Sequence, residues 1–218
     1  FLYGATGPSG FSGTLYAFDL DTAAWSQAVS GLPQVDDNCL AYDNAGSVLY
    51  SFGGDETRDG GETSETLDSY TVIDPLAGPV DTIQMPSAIG TRRGMCCAYD
   101  PTRHWMFVLG GSVVNDYYDE IQNEYHNDLW ALDLDTGTWF DLMPDAELGD
   151  FEEPDAYGDR RFVGNPEKPN FGQNRGLMTV DPGNDRLVVA GEVPIFTHQQ
   201  IYFLDLEHVE EVAAPWFP

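Results

Sequence analysis

The sequence predicts an all-β fold built from repeated four-stranded antiparallel units. Three observations carry that prediction. Glycine and aromatic residues are abundant (Gly 23, Tyr 11, Phe 12 and Trp 5 in 218 residues), and no long apolar pattern of helical period stands out. That favours many short strands joined by tight turns. The stretch LWALDLDTGTW, Leu129 to Trp139, recurs nearly position for position as LYAFDLDTAAW, Leu15 to Trp25. Each copy also occupies the same place in a longer succession of strand and turn signals.

Two weaker copies complete the set. YTVIDPLAGPV (Tyr70 to Val80) has Val80 where Trp would stand, and IYFLDLEHVEE (Ile201 to Glu211) matches over its first half. The aligned aspartates are Asp19, Asp74, Asp133 and Asp205, at intervals of 55, 59 and 72 residues. Upstream of each lies an apolar strand ending in glycine: FLYG (Phe1 to Gly4), VLYSFGG (Val48 to Gly54), WMFVLGG (Trp105 to Gly111) and RLVVAG (Arg186 to Gly191). From the first glycine to the aligned aspartate the spacing is 15, 21, 23 and 14 residues, so the strand pair is constant and its connection varies. Before that strand comes a third element: CLAYDNAGSVLY, CCAYDPTRHWMF and LMTVDPGNDRLV, starting at Cys39, Cys96 and Leu177. Each reads strand, Asp-led turn, strand. Pro presets φ in such a turn, while Gly and Asn accept a positive φ.

One repeat is therefore four antiparallel strands. Periods of about 40–50 residues with short strands point to a β-propeller with one blade per repeat, the longer intervals being taken up by inserted loops. The repeats fall at 1–33, 34–90, 91–143 and 175–218, with 144–174 inserted between the last two. The motifs resemble the Kelch family of β-propellers. The residues that carry the resemblance are Gly53-Gly54, Gly110-Gly111, the apolar positions Phe18 and Leu132, and the tryptophans seven residues later, Trp25 and Trp139. The family often has Tyr where Phe18 and Leu132 stand. The resemblance implies a ring of six or seven blades, of which four are visible, with Trp packed between neighbouring blades. Since the chain starts at Phe1 rather than Met, the expectation is a fragment, or blades completed by the same or another chain. An apolar edge at Phe1 would otherwise be left open. The C-terminal AAPWFP is expected to supply the outer strand of the fourth repeat, with Trp216 displaced by a short insertion.

Charge narrows the partners. Nine Lys and Arg against 37 Asp and Glu leave a formal charge of −28. Such a field repels phosphate backbones, so nucleic acid is excluded as a partner. No apolar run spans a membrane. The acidity reads as solubility in a salty or extracellular setting, or as a cation-binding surface. Cys39 and Cys96 each lie four residues before their turn aspartate, where the fourth repeat has Leu177; this reads as an apolar core position holding a buried thiol. The alternative is a disulfide from Cys39 to Cys96 or Cys97.

Candidate contacts gather in the variable segments. The stretch Gly111 to Trp130 is long, acidic and rich in Tyr, with Tyr117, Tyr118 and Tyr125 as partner contacts. Asp116, Asp119, Glu120, Glu124 and Asp128 are candidate ligands for a hard cation such as Ca2+, though they lack EF-hand spacing; no other cofactor is implied. The stretch Gly53 to Asp68 occupies the same place one repeat earlier, so the two loops are expected side by side on one rim, where scaffolds of this kind place binding. The insertion adds Phe151, Tyr157, Phe162 and Phe171, which are unfavourable to leave exposed without a partner. Arg93 and Arg175 open inner strands and suit a carboxylate ligand or an ion pair with one of the many acids.

Two functions follow. The first is a non-enzymatic module outside the cytoplasm, at the cell surface or in the extracellular or periplasmic space, that docks a protein or glycan. The second is the propeller of an oxidase or carbohydrate-active enzyme with its catalytic residues on other blades. Galactose oxidases are Kelch-type enzymes, and the resemblance to them is one of scaffold. Their copper site needs clustered Tyr, His and Cys, whereas His104, His126, His198 and His208 are scattered here. DLDTGTW also resembles the Asp-box turn of sialidases, but is one residue short before Trp, and that box is itself a structural turn.

Overall fold

Every aligned aspartate closes a turn with its own side chain. Asp19 Oδ1 accepts from the Asp21 and Thr22 amides (2.9 and 2.8 Å), Asp74 from Leu76 (2.7 Å), Asp133 from Asp135 and Thr136 (2.9 and 3.2 Å), and Asp205 from Glu207 (2.9 Å). A short carboxylate can satisfy the amides two and three residues on, which is why this residue type recurs at a strand exit. The hairpin aspartates act alike: Asp43 accepts from Ala45 and Gly46, and Asp100 from Thr102 and Arg103. The left-handed residue of these hairpins is not the predicted Gly or Asn. Ser47, His104 and Asp185, each just before the returning strand, have φ of 58°, 56° and 47°.

The computed structural model describes residues 1, 3, 6–7, 10–11, 13–58, 63–115, 122–144, 176–192, 199–209 and 214–215. Among them no helix is long and apolar enough to cross a membrane. The chain forms two units, Phe1–Met95 and Cys96–Pro218.

The first unit opens with the short hairpin β1 (Thr6–Gly7) and β2 (Gly10–Phe11), followed by the pair β3 (Thr14–Asp19) and β4 (Ala24–Ser30). Then come β5 (Val35–Asp36), β6 (Cys39–Asp43), β7 (Val48–Phe52), β8 (Asp55–Arg58), β9 (Thr63–Thr66), β10 (Ser69–Asp74) and β11 (Gly78–Gln84). A four-stranded antiparallel sheet runs β11-β10-β7-β6, and a smaller one runs β5-β8-β9. Leu15 and Val29 of the first repeat meet Leu49 and Ile73 of the second in one core, joined by Tyr3 and Leu32.

The second unit holds β12 (Cys96–Asp100), β13 (Trp105–Asn115), β14 (Gln122–Asp133) and β15 (Trp139–Met143), then β16 (Leu177–Asp181), β17 (Arg186–Glu192), β18 (Gln199–Asp205) and β19 (Ala214–Pro215). Its sheets run β12-β13-β14-β15-β19 and β16-β17-β18. β13 is buried continuously from Trp105 to Gly111, as a strand covered on both faces should be. Phe107, Leu109, Leu129 and Ala131 of the third repeat pack with Leu187 and Val189 of the fourth. Arg103 clamps these two repeats at their turns. It donates to Asp100 (3.0 Å), to both carboxylate oxygens of Asp185 (2.7 and 2.9 Å) and to the Leu206 carbonyl (2.8 Å).

Several expectations are corrected. The C-terminal strand does not complete the fourth repeat: Ala214 and Pro215 pair with Asp141 and Phe140 of β15. Pro is tolerated on an edge strand because its missing amide can face away from the sheet; Trp216 lies outside the described residues. Cys39 and Cys97 are disulfide-bonded rather than free. Cys96 alone is the buried thiol, its pKa pushed up to about 11 by burial. Leu177, aligned with the buried Cys39 and Cys96, is exposed. The two motif tryptophans also differ: Trp139 is 7% exposed and Trp25 is 56% exposed.

Candidate functional site

The connections after the glycine pairs are β ribbons rather than open loops. β13 and β14 run past Gly110-Gly111, with Ser112 opposite Tyr125, Val113 opposite Glu124 and Asn115 opposite Gln122. In the first unit β8 and β9 form the equivalent ribbon, with Asp55 opposite Thr66 and Arg58 opposite Thr63. Both glycine pairs adopt the same left-handed backbone, φ of 54° and 97° at Gly53-Gly54 and 65° and 97° at Gly110-Gly111. This conformation favours glycine. Space demands it as well, since a Cβ at Gly53 would lie 2.2 Å from the Arg92 carbonyl oxygen.

Close approach at Gly53-Gly54 gathers a charged cluster at the root of the first ribbon. The Gly54 amide donates to the Arg92 carbonyl (2.9 Å), the Arg92 amide to Leu67 (3.1 Å), and the Gly94 amide to Asp37 (2.6 Å). That lacing holds Arg93 against the start of β8, where its Nη1 donates to Asp55 Oδ2 at 2.5 Å. Thr66 Oγ1 donates to the other Asp55 oxygen at 2.7 Å. Directly across from Asp55 in the β5–β8 register lies Asp36. Among the described residues, its Oδ1 and the Arg93 Nε are buried without hydrogen-bond partners. Burial first, then the Asp37 and Asp55 carboxylates, push the Asp36 carboxyl up to about 6 against the pull of Arg93. The cluster can exchange a proton near neutral pH, and any carboxylate ligand reaching Arg93 competes with Asp55 already in place.

At the root of the second ribbon the environment is different. Asp128 is buried and accepts from Trp130 Nε1 at 2.7 Å. Asp141, opposite Trp130 in the β14–β15 register, has its pKa raised by burial and then by Asp128. Ser112, which follows Gly110-Gly111 as Asp55 follows Gly53-Gly54, is buried too.

The predicted contact residues divide accordingly. Arg93 sits in the cluster, ion-paired to Asp55. Asp128 is at the ribbon root, and Glu124 and Tyr125 belong to the ribbon strand itself. Glu124 and Asp128 are four residues apart along one strand, about 13 Å at strand rise. Asp116, Tyr117, Tyr118, Asp119 and Glu120 fall outside the described residues, as do Phe151, Tyr157, Phe162, Phe171 and Arg175. Among the described residues no three His, Cys, Asp or Glu side chains gather as metal ligands. Sequence reasoning passed over Asp36, Asp55 and Thr66. The position of Asp55 straight after Gly-Gly was the available signal; its pairing with β5 was not.

The chain is thus an all-β protein whose repeats are antiparallel, propeller-type blades. No family model and no curated protein matches the sequence. Among solved structures it is similar to YjhT, with a TM-score of 0.56 and 12% identity over 94% of this chain and 51% of that one. It also aligns with hydrazine synthase of Kuenenia stuttgartiensis, with a TM-score of 0.46 and 11% identity over 94% of this chain and 53% of that one. The chain spans about half the length of each.

Proposed function

We propose that the chain is a non-enzymatic binding or assembly module, a Kelch-like propeller that docks a protein or glycan partner through its β ribbons and the 144–174 insertion. The supporting observation is that both ribbons continue their blades as hydrogen-bonded strands past the glycine pair. Strands anchored by hydrogen bonds lose little conformational entropy on binding, and recognition is commonly placed on such extensions of a rigid scaffold. Tyr125 on one ribbon, Tyr117 and Tyr118 of the sequence stretch just before it, and Phe151, Tyr157, Phe162, Phe171 and Arg175 of the insertion, are the aromatic and basic contacts of this reading. The acids Asp116, Asp119, Glu120, Glu124 and Asp128 are its candidates for Ca2+. The disulfide-bonded Cys39 and Cys97 support a location outside the cytoplasm, extracellular or periplasmic, where such bonds persist.

The test is a shortened ribbon. Replacing residues 114–123 by Asn-Gly leaves Val113 and Glu124 to close a two-residue hairpin. The variant is expected to keep the parent melting temperature and to lose the ligands that the parent selects from a glycan array or a displayed extracellular proteome. Ligand binding that survives the shortening overturns the ribbon as the docking element. A stoichiometric redox metal with oxidase turnover in the native protein would replace this reading with the enzyme one.

A further inference from the structure

The two ribbons are anchored differently. The second is an extension of β13 and β14, the same strands that run through the five-stranded sheet. The first, β8 and β9, belongs to a separate sheet whose third strand is the two-residue β5. The β5–β8 ladder is two residue pairs long, Val35 with Glu56 and Asp36 with Asp55. At the root, backbone bonds fasten Gly54 to Arg92 and to Leu67 (2.9 and 2.8 Å), and these do not titrate. The ladder is therefore the part of the anchorage that charge can open.

One of its two pairs sets carboxyl against carboxyl, and like charges directly across a ladder destabilise it. Among the described residues, the charged groups acting on Asp36 are Asp37 beside it, Asp55 on β8 and Arg93 on the segment before β12. Glu56 pairs with Val35 on the other side of the ladder, and its charge falls on Tyr3. Arg93 is the cation of this set, and its Nη1 is already committed to Asp55. Asp36 Oδ1 stays buried and unmatched among the described residues, as does Arg93 Nε. A proton on Asp36 removes the cross-strand repulsion. Its loss sets two carboxylates face to face beside one guanidinium, with a buried oxygen that water does not solvate. The Asp36 carboxyl, pushed up to about 6 by burial and its acidic neighbours, agrees in sign.

We propose that the β5–β8 ladder is a proton-controlled latch on the first ribbon, closed while Asp36 carries its proton and weakened when Asp36 ionises opposite Asp55. Linkage fixes the direction. A carboxyl that holds its proton more tightly in the closed state favours closing in acid. Closing weakens as pH rises from the ordinary Asp value of 3.8 towards about 6, and above that it stays at its weaker level. Docking through this ribbon would then depend on pH, a consequence that rests on the ribbon reading above. The latch itself is tested without a partner, so failure of one leaves the other standing.

The experiment is hydrogen exchange of the full chain from about pH 4 to about pH 7, read by mass spectrometry on peptides covering β5 and β8 and corrected for the intrinsic pH dependence of exchange. Protection of both strands is expected to fall about tenfold up to about pH 6 and then level off, while β12 and β13 keep theirs. Asp36→Asn should hold the higher protection throughout. The carboxyl carbon resonance of Asp36 in the parent, followed by NMR, is a check that needs no variant: its titration should end where protection levels off. Protection that does not change with pH in the parent overturns the proposal. So does a fall that Asp36→Asn reproduces, and so does an Asp36 carboxyl that titrates in the ordinary Asp range.

Discussion

Leu15–Trp25 and Leu129–Trp139 are the same motif in two surroundings. Both make a hairpin with an Asx turn at its tip, and both set the Trp opposite the apolar residue that precedes the turn aspartate, Phe18 with Trp25 and Leu132 with Trp139. One Trp is buried and the other is exposed. The difference follows from what lies beside each sheet. β15 is an inner strand of a five-stranded sheet, whereas β3 and β4 form a sheet of two. A motif sets local geometry, and burial is conferred by neighbours.

The largest expected effect separates the two tryptophans. Trp139→Ala should destabilise the fold by about 3–5 kcal/mol, as loss of a large buried aromatic does. Trp25→Ala should change it by less than about 1 kcal/mol. Chemical denaturation at low salt measures both, and equal effects would mean that burial is the same at the two sites.

The glycines sharpen the same contrast. Gly53→Ala places a Cβ 2.2 Å from the Arg92 oxygen at a positive φ, and should cost about 3 kcal/mol. Gly137, in the turn before Trp139, has φ of 71° with nothing within 4 Å of an added Cβ. Gly137→Ala should cost about 1 kcal/mol, from backbone conformation alone. Matching losses in thermal melts would contradict the close approach at Arg92.

Electrostatics divide the units as well. In the second unit Arg103 holds the Asp185 carboxyl below its usual range, so that contact contributes stability at neutral pH and loses it as acid protonates Asp185. Asp36 in the first unit has the opposite sign. Its pKa is raised to about 6 from 3.8, so between those values the folded chain keeps a proton that the unfolded chain releases. Stability therefore falls as pH rises through that window, and the full penalty is present above it. Asp36→Asn should be more stable than the parent above about pH 6, by roughly 1 kcal/mol once solvent screening of this partly exposed group is allowed for. The two stability curves should converge near pH 4; curves that run parallel would rule out Asp36 as the titrating group.

The smallest effect concerns cations. EDTA is expected to leave the melting curve unmoved in both units. A drop that calcium reverses would turn the candidate acids into ligands that hold the fold.

Much of the architecture was legible because repeats report on themselves. Four aligned aspartates, three hairpins and two glycine pairs were readable as turns, since a short carboxylate beside free amides and a glycine at positive φ are local requirements. The charged cluster was not. Arg93 stood out as a cation in an acidic chain, but Asp36 and Asp55 come together through the pairing of β5 with β8, across eighteen intervening residues. Nothing in the intervening sequence specifies that register.

By itself the sequence determined the fold class, the strand order of the second and third repeats and the role of the recurring aspartates, all set by side chains acting on backbone within a few residues. Tertiary structure alone decided which tryptophan is buried, which cysteines are oxidised and where the C-terminal strand pairs. Those outcomes depend on the surface that a neighbouring sheet presents, and hydrophobic burial is a property of two surfaces in contact rather than of the residue that carries one of them.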